Sequence, residues 1–247
     1  MSELRTVGHV EIGPIQNEQL LNRSVKTVGE GRLVAFHTLG VCGLLGDGSK
    51  ASTWSDIQGI KGGDKVRAGF LRHEWVPAMG IIDLDRLDVK LWHLLTTNPE
   101  RLAQIVGGKA HLRYPVKVDA APGIPPQMLS YDAQHGHQFQ VFEVGGTNLG
   151  PMVDLLFKNG IQYPVVTSLN VSGTGSLTDP EAGIALAAKS GVISQFLLCG
   201  DSGRVGSFGA LHGADLSVLR GGPEIPDVLR ELGVVDWFPP TSITSFG

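Results

Sequence analysis

The sequence predicts an α/β fold on three observations. Short apolar, β-branched runs alternate with helix-length segments, the alternation continues along the chain, and glycine is unusually abundant. Helices and apolar strands in alternation imply a sheet with helical layers packed on it. The chain has 247 residues, 42% hydrophobic and 18% charged, within the globular range and far from the composition of disorder. Its 34 glycines are about twice the ordinary rate of ~7%. They sit at strand ends and before polar residues, without a repeat, which suits a site built from loops at the ends of strands. A chain of this length buries about three quarters of its unfolded surface and needs no disulfide or metal to hold a core. No segment reads as a linker, so one domain is expected.

The elements follow in order. Arg32–Phe36 and Val41–Leu45 read as buried strands joined by a Gly-containing turn. Trp54, Ile57 and Ile60 recur every third residue, a helical stripe closed by Gly62 and Gly63. Leu84–Leu95 and Glu100–Ile105 also read as helices, the second capped by Asn98 ahead of Pro99. His111–Val118 and Gln138–Val144 alternate like strands, with a turn at Ala120–Pro126 between them. Met152, Leu155 and Leu156 mark a helix over Asn148–Asn159 that stops at Gly160. Tyr163–Leu169 is a β-branched strand. Asp179 and Pro180 open an alanine-rich helix running to Lys189. Val192–Leu198 and Leu216–Arg220 are further strands, and Pro226–Leu232 is a last helix closed by Gly233. The tail beyond Asp236 reads as an irregular strap.

The totals exclude several classes. A net charge of −4 argues against a general electrostatic grip on nucleic acid or anionic lipid. Cys42 and Cys199 lie singly in apolar runs and read as buried free thiols, which suit a reducing compartment. The N-terminus lacks the basic and apolar regions of a secretory signal, and no apolar run approaches the ~18 residues a span needs. A soluble, cytoplasmic protein is expected, with no membrane partner.

The most specific local feature is Thr167-Ser168-Leu169-Asn170-Val171-Ser172-Gly173. Ser168 and Asn170, two apart on an extended chain, point the same way. Neutral donors and acceptors at a strand end suit a base, sugar or carboxylate, and they equally suit a turn that satisfies its own backbone. This segment resembles the Thr-Ser-x-Asn-x-Ser-Gly motif of the YrdC-type family, the threonylcarbamoyl-adenylate synthases. Other pieces resemble the family in its order. Thr38, Val41, Gly43 and Leu44 fall in its Pro-Thr-Glu-Thr-x-Tyr-Gly-Leu pattern, whose proline, glutamate, second threonine and tyrosine are lost. Ile60-Lys61-Gly62-Gly63 follows its Ile-Lys-Gly-Arg, with the lysine kept and the arginine gone. Thr178–Lys189, Gly206-Ser207-Phe208 and Val218-Leu219-Arg220-Gly221-Gly222 match the later motifs. The resemblance spans about residues 15–233, leaving 1–14 as an N-terminal extension and 234–247 as a tail.

The resemblance implies a YrdC-like fold, a single domain with a twisted mixed sheet flanked by helices. It also implies an activity that makes a carbamoyl-adenylate from ATP, bicarbonate and an amino acid such as threonine, or a related amine, in the service of tRNA modification. Lys61 would hold phosphate charge with Mg²⁺ entering alongside the nucleotide, and Ser168 and Asn170 would bind the nucleotide. Ser207 and Arg220 would complete the phosphate and adenylate contacts. Thr38 would position the acceptor. His37, standing where the family has proline, would act as a base or ligand contact. The lost arginine is not conservatively replaced, since Gly63 has no side chain; Lys65 and Arg67 are the nearby cations. Glu143 falls where the family carries an arginine, unfavourable beside phosphate. The alternative is a non-catalytic nucleotide- or RNA-binding paralogue.

Other constellations are weaker. His135-Gly136-His137 could offer two imidazoles on one strand face, but no adjacent carboxylate pattern accompanies it, and no metal site is assigned. His73 follows a basic segment and is a lesser candidate. Gly173–Leu177 has the wrong spacing for a nucleophile elbow. Gly43–Gly48 lacks the Gly-Lys-Ser/Thr ending of a phosphate loop, and no dinucleotide fingerprint follows the first strand.

Overall fold

The computed structural model describes residues 4–62, 68–69, 72, 75, 79–144, 147–200 and 208–234. The chain divides into two compact units, Met1–Ala68 with Thr147–Gly206 and Gly69–Gly146 with Ser207–Gly247. It passes between them three times, which is why no one linker is visible in the sequence. The expected α/β architecture with mixed strand pairing is what forms, its strands divided between two sheets.

In the first unit six strands run in the order β1 (Arg5–Val7), β2 (Val10–Pro14), β9 (Ile193–Leu198), β3 (Leu33–Thr38), β4 (Val41–Asp47) and β8 (Pro164–Ser168). β2, β9 and β3 are parallel; the remaining pairings are antiparallel. β3, β4 and β9 are near-continuous apolar runs because their residues are covered on both faces: Leu33, Val34, Ala35, Leu44, Leu45, Phe196 and Leu197 are wholly buried. Helix α1 (Glu18–Gly29), capped by the Asn17 side chain, packs on β3, β4 and β9, burying Leu20, Val25 and Val28. α2 (Ala51–Lys61) lies against β3 and β4, and α5 (Gly150–Lys158) against α1 and β8. α6 (Pro180–Ser190) covers β9, with Asp179 accepting from the Glu181 and Ala182 amides as its N-cap. Cys42 and Cys199 are buried and not joined in a disulfide.

In the second unit five strands run β11 (Val218–Arg220), β10 (Gly209–His212), β5 (Ala110–Pro115), β7 (Gly136–Phe142) and β6 (Leu129–Asp132). Only β10 and β5 are parallel. α3 (Val89–Thr97), α4 (Pro99–Val106) and α7 (Ile225–Glu231) complete this unit. Asn98 caps α4 through the Arg101 amide, as its spacing before Pro99 implies. Arg101 and Lys109 both reach Glu231 and hold α7 beside α4.

Two of the sequence expectations need correction, one in each unit. Residues 5–14, expected to precede the domain as an extension, supply two of its strands. The helix expected over Leu84–Leu95 begins as a 3₁₀ turn at Leu84–Arg86 and turns α-helical only from Val89, where Asp88 caps it. The expected strap beyond Asp236 lies outside the described residues. No helix among the described residues is long and apolar enough to cross a membrane.

Candidate functional site

Lys61 ends α2. Gly62, with φ of +67°, takes the left-handed conformation that stops the helix, where a side chain would be strained. The Lys61 side chain is only 9% exposed. Its Nζ donates to Asn170 Oδ1 at 3.0 Å and to Ser168 Oγ at 3.3 Å. Ser168 Oγ donates in turn to Asn170 Oδ1 at 2.5 Å. The expected triad of Lys61, Ser168 and Asn170 is therefore one contiguous cluster. Burial lowers the Lys61 pKa to about 8. Among the described residues no carboxylate pairs with it, so both hydrogen-bond partners of a buried ammonium are neutral.

Backbone bonds shape the loop that carries this cluster. Leu169 donates to the Cys42 carbonyl at 2.9 Å, extending the β4–β8 pairing, while Cys42 itself donates to the Leu177 carbonyl at 2.8 Å. Residues 170–176 thus leave and rejoin the sheet at a single residue of β4. Inside the loop Asn170 Nδ2 donates to the carbonyls of Val171 and Thr174, and Ser172 donates to the Lys61 carbonyl. Asn170 is bound on both sides of its amide: its oxygen faces the lysine and its nitrogen folds the loop. Cys42 Sγ approaches the Asp179 carbonyl at 3.6 Å; burial, and then Asp179, push this thiol up to about 12, so it is inert.

Thr38 and His37 end β3. Thr38 is 1% exposed and pairs with Val41 across a two-residue turn, in which Leu39 (φ 48°) and Gly40 (φ 72°) both have positive φ. This is the primed turn that matches the twist of a hairpin, and it strains Leu39. His37 Nε2 donates to the Thr178 carbonyl at 3.1 Å, which leaves Nδ1 as the ring's acceptor position. Gly43 sits opposite Phe36 in the register, and a Cβ there would lie 2.3 Å from the ring, so a bare backbone is required.

Arg220 belongs to the second unit, where its Nε donates to the Phe208 carbonyl at 2.7 Å. Burial, and then Arg113, lower its pKa. Ser207, Gly63, Lys65, Arg67 and His73 lie outside the described residues. Glu143, expected to oppose phosphate, is a buried carboxylate of the second unit and lies 3.6 Å from the Arg72 guanidinium, which offsets its charge. The tying of His37 to Thr178 has no signal in the local sequence. It arises because α6 returns over the end of β3.

The architecture is that of the YrdC-like folds. Among solved structures, that of P. abyssi Sua5 complexed with L-threonine superposes with a TM-score of 0.61 at 18% identity over 89% of this chain and 60% of that one. E. coli YciO matches with a TM-score of 0.55 at 13% identity, covering 86% of this chain and 93% of that one. A hypothetical protein from Streptococcus mutans matches with a TM-score of 0.58 at 11% identity, covering 86% and 90%. The chain thus spans about three fifths of the Sua5 length. At such identities the likeness establishes the fold. No family model matches the chain, and no curated protein matches it in sequence.

Proposed function

We propose that the Lys61–Ser168–Asn170 cluster binds the phosphates of ATP, which enters with Mg²⁺, and that the chain forms a carbamoyl-adenylate from ATP, bicarbonate and a small amine of the amino-acid class. The observation that carries this is a buried ammonium whose partners among the described residues, Ser168 and Asn170, are both neutral. Burying a cation is costly unless an anion pairs with it, and here a phosphate would be that anion. The motif resemblance supports ATP, and the threonine complex of P. abyssi Sua5 supports an amino-acid acceptor.

The amine nitrogen bonds to the bicarbonate carbon with loss of water, giving a carbamate. A carbamate oxygen then attacks the α-phosphorus, the bond to the β-phosphate oxygen breaks, and pyrophosphate leaves. Lys61 offsets the charge that builds on the departing phosphates. His37, oriented by the Thr178 carbonyl, takes the amine proton at Nδ1 and passes it to the departing hydroxide, which leaves as the water. Thr38, next to it in the sequence, positions the acceptor. Two buried cysteines that form no disulfide support a reducing compartment such as the cytoplasm.

Calorimetric titration with ATP and Mg²⁺, followed by pyrophosphate release on adding bicarbonate and threonine, tests the proposal. Binding with release supports it. Binding without release would favour the nucleotide- or RNA-binding paralogue, the reading that the missing arginine at Gly63 supports. No binding would refute the assignment of Lys61 to phosphate.

A further inference from the structure

We propose that Asp132, His135 and His212, with Asp215 beside them, form a site in the second unit for one divalent transition-metal cation of the zinc class. One donor atom from each of Asp132, His135 and His212 lies within 4.8 Å of the others. The His212 ring, at the end of β10, is wholly buried. Its Nδ1 accepts the Ala214 amide at 3.1 Å, while its Nε2 is buried without a hydrogen-bond partner among the described residues. Buried imidazole nitrogens are seldom left unpaired in a native core unless an ion, a water or a reaction uses them. His135 lies in the hairpin between β6 and β7 and stacks on His212, with ring centroids 3.8 Å apart.

The carboxylates frame this pair. Asp132 Oδ2 lies 3.2 Å from His135 Nδ1, and Asp215 Oδ2 lies 3.6 Å from His135 Nε2. Asp132 is fixed in turn by the Gln134 and His135 amides and by Gln138 Nε2. Ligation through His212 Nε2 moves the ring proton to Nδ1. That proton displaces the Ala214 amide from Nδ1, and Asp215 Oδ1, 3.7 Å from the same nitrogen, is the carboxylate that accepts it after a small shift, the kind of partner that commonly orients a ligating histidine. Donors around a tetrahedral zinc, at bonds of ~2.0–2.1 Å, stand about 3.3 Å apart, so closing the site needs side-chain shifts on the order of 1 Å. Two imidazoles with carboxylates favour zinc, iron or nickel over calcium and magnesium, which prefer oxygen throughout.

The sequence pair His135 and His137 does not make this site. His137 pairs with Tyr131 across the hairpin and meets its ring edge-on at 5.3 Å. The second imidazole comes from β10, because β10 and β5 are parallel and β5, β7 and β6 are successively antiparallel. That register brings the β6–β7 hairpin and the β10–β11 turn to the same end of the sheet. A bound ion would clip the two together across β5.

The full chain, stripped with a chelator, would be titrated with Zn²⁺ by calorimetry and with Co²⁺ by visible absorption. One ion per chain with a Kd in the micromolar range or tighter is expected, together with a Co²⁺ ligand-field band. His135→Ala, on the half-buried hairpin, should weaken binding by about 100-fold and remove the band; Asp132→Asn should weaken it about 10-fold or more. His212→Gln should do the same as His135→Ala if circular dichroism shows it folded, and His135→Ala carries the test if it is not. Failure of the wild-type chain to bind either ion stoichiometrically overturns the proposal, as does undiminished affinity in His135→Ala.

Discussion

Replacing Lys61 with methionine should weaken nucleotide binding and at the same time stabilise the ligand-free protein. Burial lowers the Lys61 pKa to about 8 from its ordinary 10.5. That difference corresponds to about 3 kcal/mol by which burial disfavours the ammonium near neutral pH. Methionine removes this penalty but forfeits two hydrogen bonds, to Ser168 and Asn170, worth about 1 kcal/mol each. The net expectation at pH 7 is a gain of about 1 kcal/mol, measured by urea unfolding.

The sign with pH is also fixed. Between the folded value near 8 and the unfolded value of 10.5 the unfolded chain holds more protons, so this group makes wild-type stability rise with pH in that window. The methionine variant should lose that rise. ATP affinity should move oppositely: the protonated fraction of a group of pKa 8 falls about tenfold between pH 7 and 9, so wild-type affinity should fall by up to that factor, and the variant should show no such slope. Loss of a charge-assisted contact worth about 1.5–3 kcal/mol predicts roughly 10- to 150-fold weaker ATP binding in Lys61→Met at pH 7. Unchanged ATP affinity, or destabilisation by several kcal/mol, would refute the reasoning, because either result makes the lysine a structural strut.

Two further outcomes are expected. Asn170→Asp places a carboxylate 3.0 Å from the ammonium; it should raise the Lys61 pKa, suppress ATP binding at least tenfold in calorimetry, and leave the fold intact by circular dichroism. Leu39→Asn converts the strained turn to Asn-Gly, favoured in such hairpins; thermal and urea unfolding should show a gain of about 1 kcal/mol, since a bulky residue in the left-handed region costs about 1–2 kcal/mol.

What was legible in the sequence were features with local causes. Asp179-Pro180 and Asn98-Pro99 fix helix starts through their own side chains, and the apolar runs of β3, β4 and β9 identify themselves by composition. The Ser168–Asn170 spacing likewise predicted side chains on one face, and the structure brings them together with Lys61. Elements with mixed local signals were missed. β2 contains Gly13 and Pro14, which read as breakers, yet it is held as a parallel strand against β9. β10 spans only Gly209–His212, too short for periodicity to show. α1 is largely polar, and its buried side is visible only once β3, β4 and β9 are assembled beneath it. The Asp132–His135–His212 grouping depends on strand register across four strands, which no window of sequence contains.

The loop of residues 170–176 begins and ends at Cys42, so its contour is decoupled from the strands that bear it. Lengthening such a closed segment is entropically mild, about 0.6 kcal/mol for each doubling, and substitutions at its exposed middle leave the β4–β8 ladder untouched. Asn170 and Ser172 anchor the near end of this loop to Lys61, so sequence change is mild only in its exposed middle. A chain of this design can vary residues 173–175 while Asn170, Lys61 and the sheet beneath stay as they are.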